Sequence, residues 1–192
     1  MDDNSFIITE VDKTATIECL SLRTCAECSR LLKYNVLNEN SLLVFTVNIR
    51  SINCNFDTFA ALISTIDVTI DVFVLTECWT SCLNPPPHLE NYNKFWTRNC
   101  LNQNDGVVAY VRQELEVTSY EPAFSDGNCL VLNIFPEYTI VCSYRPPSFR
   151  NASSYLESVD NILGRISTKN VIFTGDINLD ILPGNLAASS QD

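Results

Sequence analysis

Short apolar runs rich in β-branched and aromatic residues recur along this chain, and no other feature limits its fold as much. They fall at residues 42–49, 72–76, 92–96, 106–111, 115–120, 129–134, 139–144 and 171–174. Each has the length and the Val, Ile, Phe and Tyr content of a strand. Two intervals break the rhythm. Phe56, Phe59, Ala60, Leu62, Ile63 and Ile66 recur at helical spacing behind Asn55, which reads as a cap. Tyr155, Leu156, Val159, Ile162, Leu163 and Ile166 do the same behind Ser153 and Ser154. Strand, helix and strand at both ends, with consecutive strands between, predict an α/β domain layered on mixed or antiparallel sheets. Residues 1–40 show no sustained period and end in the loop-like Asn38-Glu-Asn-Ser41, so they read as an N-terminal extension. Residues 41–182 then form the domain, and 183–192, opening on Pro-Gly, a tail.

With 192 residues, 46% of them hydrophobic, the chain has the material for one core. Its apolar runs are far shorter than the ~20 residues a bilayer demands. The start, Met-Asp-Asp-Asn, is acidic and no apolar signal core follows. The expectation is a soluble intracellular protein, nuclear or cytoplasmic, not secreted and with no membrane partner. The nine cysteines are scattered and odd in number, and most read as reduced, apolar packing residues. Cys25-Ala-Glu-Cys28, with Cys19 upstream, is the only CxxC. Cys54, Cys78, Cys82 and Cys100 are too widely spaced to supply a second ligand pair, which leaves ordinary packing, with a vestigial zinc module as the alternative.

A net charge of −11 argues against binding nucleic acid through a broad basic surface. The acidity is spread, with net −3 over residues 1–40 and net −8 over the rest, so neither part is a charged tail. Any phosphate chemistry must then lean on a metal. Three of the runs end in polar residues that packing does not require. The first delivers Asn48, the second Glu77, and the last, through Gly175, delivers Asp176 and Asn178. Strand ends are where α/β sheets gather ligands. Two carboxylates and two amides are hard oxygen donors suited to Mg²⁺, which takes one or two carboxylates and leaves room for water and phosphate. On an extended chain Asp176 and Asn178 would point to the same side. The bland alternative is that such residues are turn formers.

Asn48-Ile-Arg-Ser51, Leu75-Thr-Glu-Cys-Trp79, Asp105-Gly-Val-Val-Ala-Tyr-Val111, Tyr144-Arg-Pro-Pro147 and Gly175-Asp-Ile-Asn178 stand in this order. Together they resemble the endonuclease/exonuclease/phosphatase superfamily, and most closely the apurinic-type endonuclease domain of non-LTR retrotransposons. The resemblance implies a DNase I-like, two-layer sandwich flanked by helices that hydrolyses phosphodiesters, here DNA, with Mg²⁺ or Mn²⁺. It makes Glu77 the direct metal ligand, with Asn48 placing metal and phosphate. Tyr144 would donate to the phosphate or leaving group, Asp176 would orient or deprotonate the attacking water, and Asn178 would hold a phosphate oxygen. Arg50, Arg98 and Arg145 would contact DNA phosphate or stand as solvated charges. Trp79 reads as packing rather than base stacking. Superfamily members continue to a Ser-Asp-His triplet, which this sequence lacks, and its sole histidine, His88, lies in the Pro85-Pro-Pro-His88 loop. The domain therefore reads as C-terminally truncated. The competing function is a catalytically inactive remnant or binding module on the same scaffold.

Overall fold

The computed structural model describes residues 6–11, 17–22, 42–66, 68–80, 84–100, 102–149 and 151–179. Strands β1 (Phe6–Val11), β2 (Ile17–Leu22), β3 (Leu42–Asn48), β4 (Val72–Thr76), β5 (Tyr92–Trp96) and β6 (Val107–Arg112) form one mixed sheet in the order β2-β1-β3-β4-β6-β5. A second sheet contains β7 (Val117–Tyr120), β8 (Asn128–Ile134), β9 (Tyr138–Tyr144) and β10 (Asn170–Asp176), in the order β10-β9-β8-β7. Helices α1 (Ile52–Ile63) and α2 (Ser153–Leu163) complete the described elements. The expected α/β class, strands and helices are all present. β1 and β2, in the stretch that reads as an extension, add to the first sheet, where β1 pairs antiparallel with β3. Cys25 and Cys28 lie outside the described residues, as does the tail.

Strand alternation assigns each side chain to a layer. The even-numbered Val44, Val72 and Val74 and the odd-numbered Val107, Ala109 and Val111 face Leu130, Leu132, Ile140, Cys142 and Ile172 of the other sheet. The opposite faces carry the helices. Phe45, Phe73 and Tyr110 receive Ile52, Phe56 and Phe59 of α1, with Phe59 edge-on to Phe73 at 5.4 Å and 90°. Cys129, Val131 and Val141 receive Ile162 of α2. Each fully buried aliphatic or aromatic side chain contributes about 1.5–3 kcal/mol, so these dry layers supply most of the driving force. Buried Cys78, Cys129 and Cys142 are free thiols that pack as apolar groups, whereas Cys54 is exposed. Asn55 does not cap α1 as expected. The helix begins at Ile52, and the Asn55 amide donates to the carbonyls of Ile49 and Arg50 at 2.9 and 2.6 Å.

One polar contact interrupts the dry inter-sheet layer. The buried hydroxyls of Thr46 on β3 and Thr174 on β10 share a hydrogen bond of 2.6 Å. Replacing Thr46 with Val leaves the Thr174 hydroxyl buried without its partner, at an expected cost of about 1–3 kcal/mol. Denaturant midpoints of Thr46→Val, Thr174→Val and the double variant should show the double variant less destabilised than the two single losses combined. Strictly additive losses would show that the two hydroxyls are energetically independent.

Candidate active site

Parallel pairing brings the polar strand ends together. β3 and β4 run parallel with Asn48 beside Thr76, so Asn48 and Glu77 leave the sheet at the same end. β9 and β10 run parallel with Tyr144 beside Asp176. Thr46 and Thr174 lie two residues before Asn48 and Asp176, on the same strand faces, and the next rung of that ladder is the bond from Asn48 Nδ2 to Asp176 Oδ2, 2.8 Å. A third bond crosses the sheets where the Tyr144 hydroxyl donates to Glu77 Oε1 at 2.9 Å. Asn48, Glu77, Tyr144 and Asp176 thus meet as one cluster, although they are far apart in sequence.

The turn carrying Glu77 is held on both sides. Its Glu77 and Cys78 carbonyls accept from the Ser51 and Ile52 amides at 2.8 and 3.0 Å. The Cys78 and Trp79 amides donate to the Gly106 and Asp105 carbonyls at 3.2 and 2.8 Å. Gly106 approaches so closely that a Cβ there would lie 2.7 Å from Thr80 Oγ1. This clamping sustains unusual backbone. Arg50, Ser51, Glu77, Trp79 and Asn178 adopt φ of 47°, 76°, 52°, 55° and 46°. Such non-glycine conformations cost about 1–3 kcal/mol each and persist only where the surroundings fix them. Gly175, at φ 141°, meets the need for a residue without a side chain, since its Cβ would lie 1.7 Å from the Ser143 carbonyl oxygen.

Several sequence expectations are corrected here. Asn178 does not continue an extended chain beside Asp176. It turns back, its amide donating to Asp176 Oδ1 at 3.3 Å and its Nδ2 to the Arg145 carbonyl at 2.8 Å. Arg145 is not a surface cation facing DNA. It is 2% exposed, and its guanidinium donates to the carbonyls of Asn178 and Phe149, bracing the two loops. Trp79, expected to pack, is 40% exposed. Arg50 is exposed at the site, its Nε 4.0 Å from Glu77 Oε2 and its amide donating to Asn48 Oδ1 at 3.2 Å. Arg98 lies at the same end of the sheet but on the edge, over the Trp96 ring at 5.3 Å. Exposed His88 precedes β5 at the opposite end. Asp105, part of the Asp105–Val111 motif, has no role assigned by the sequence. It is buried and accepts from Asn102 N and Nδ2 at 2.9 and 3.2 Å.

The acidic groups of the cluster act on Tyr144. Burial first, then the bond to Glu77 and the charges of Glu77, Asp105 and Asp176, push the Tyr144 phenol well above its ordinary range. Tyr144 therefore stays protonated and acts as a donor, and the carboxylates that keep its proton on create a negative site. Among the described residues no three His, Cys, Asp or Glu side chains form a cage. Mg²⁺ needs only one or two carboxylates alongside water and phosphate, and an all-oxygen set of Glu77 and Asn48 fits it. No protein-family model and no curated protein matches the chain.

Two outcomes follow from this geometry. Gly175→Ala should lower stability by at least about 3 kcal/mol by denaturant unfolding, because its Cβ collides with backbone at a strained φ. Burial likewise raises Tyr92, and it takes Tyr155 and Cys129 up to about 12. Unfolding releases these groups to titrate near 10.0 and 9.0. Their stabilising effect is complete below those values and lost as pH rises above them. The denaturant midpoint should fall above pH 9.0 to 10.0, less steeply in Tyr144→Phe. A flat midpoint across that range would contradict the assignment.

Proposed function

We propose that this chain is a divalent-metal-dependent phosphodiester hydrolase that cleaves DNA. Its scaffold would be the DNase I-like sandwich of the endonuclease/exonuclease/phosphatase superfamily, derived from a non-LTR retrotransposon endonuclease. The observation that carries the reading is the pair of cross-sheet hydrogen bonds, Asn48 to Asp176 and Tyr144 to Glu77, which gather the motif residues at one mouth.

Glu77 and Asn48 would hold the Mg²⁺ or Mn²⁺. When bound, that ion offsets phosphate charge and steadies the leaving oxygen. Asp176 is positioned by its bonds from Asn48 Nδ2 and the Asn178 amide, and its carboxylate serves as the acceptor for a water proton. Tyr144 supplies a neutral donor whose proton is secured by burial and by the neighbouring carboxylates. Arg50 presents an exposed cation for a phosphate oxygen, beside Glu77. With a net charge of −11, binding depends on these local groups rather than on a basic face.

Purified protein of residues 1–192 incubated with supercoiled plasmid and Mg²⁺ or Mn²⁺ should nick it, and EDTA should stop the reaction. Asp176→Ala should slow nicking about 100-fold or more, the scale of a lost general base. Glu77→Ala should reduce it to background. No nicking by protein shown to be folded by circular dichroism would overturn the hydrolase reading in favour of a noncatalytic binding module.

A further inference from the structure

Trp79 is a large apolar side chain that the fold keeps out of its core. Its neighbours Cys78 and Thr80 are 0% and 4% exposed, and Cys78 Sγ turns inward to the Leu75 carbonyl at 3.2 Å. Trp79 between them is 40% exposed. Nothing in packing requires this arrangement, and it places the indole at a strained φ of 55°. The turn is nonetheless fixed by four backbone hydrogen bonds, two accepted by the Glu77 and Cys78 carbonyls and two donated by the Cys78 and Trp79 amides. A backbone held on both sides and an exposed indole two residues beyond Glu77 offer an aromatic platform next to the site.

We propose that Trp79 stacks on a nucleobase adjacent to the phosphate held at Glu77, and that the substrate is therefore single-stranded or locally opened DNA. A paired base in a duplex has both faces covered by its neighbours, so only an unstacked base can lie against the indole. Stacking also tolerates a net charge of −11, because it gains affinity from the base rather than from phosphate neutralisation. A preorganised ring loses little freedom on binding, which makes the strained turn useful. The position of the scissile phosphate rests on the hydrolase reading; the stacking does not.

The chain has two tryptophans, Trp79 and Trp96. In a Trp96→Phe background, Trp79 is the only indole fluorophore. Titration with a single-stranded 12-mer in EDTA should quench its emission, and the matching duplex should quench it far less. Independently of that background, the anisotropy of a fluorescein-labelled single strand should report about tenfold weaker binding for Trp79→Ala, and near-native binding for Trp79→Phe. Equal affinity of native and Trp79→Ala protein would overturn the proposal, as would the absence of both quenching and binding. Quenching and binding without plasmid nicking would remove the hydrolase reading and leave the stacking intact. Nicking with unchanged affinity in Trp79→Ala would do the reverse.

Discussion

The register between β3 and β10 is the constraint on which the rest of the structure depends. Val44 and Ile172 lie in the dry layer between the sheets, Thr46 and Thr174 share a hydrogen bond, and Asn48 donates to Asp176. These positions advance by two on each strand, so apolar packing, a buried polar bond and a site contact follow one another along the same faces. A shift of one residue on either strand would turn Asn48 or Asp176 away from the other. The buried threonine pair favours the correct register, because any other leaves hydroxyls without partners in an apolar layer.

Much of the architecture was legible in the sequence because its signals are local. Runs such as Val72–Thr76 carry strand composition, and the helical spacing of Phe56, Phe59 and Ile63 marks α1. β1 and β2 were not legible, since their pairing with β3 is a tertiary event in a stretch without sustained period. The site followed the same division. Asn48, Glu77, Tyr144 and Asp176 could be named from strand ends and from a resemblance, and the structure brings them together. Arg145 could not be placed, because its guanidinium satisfies carbonyls of loops whose course only the fold determines. Trp79 reads as packing because it is a large aromatic, and its exposure accompanies a left-handed backbone that the sequence does not signal.

Backbone strain at the mouth has a common purpose. Arg50, Ser51, Glu77, Trp79 and Asn178 all take left-handed conformations around one cluster. The other positive φ angles in the described chain belong to Asn91, Asp126, Gly106 and Gly175, of which Gly106 also packs on the Glu77 turn and Gly175 lies just before Asp176. Energy stored in the backbone here is compensated by the hydrogen bonds between the loops and by the dry layers beneath. The result is a set of side chains already oriented before any ligand arrives.

The division of the site between two sheets has a dynamic consequence. Neither β3-α1-β4 nor β9-α2-β10 contains it alone, since each supplies one partner of both cross-sheet bonds. A fluctuation that parts the sheets breaks both bonds together, and frayed edges such as β7 leave them untouched. The mouth is thereby coupled to the packing of the two sheets, and anything that loosens that packing loosens the site as well.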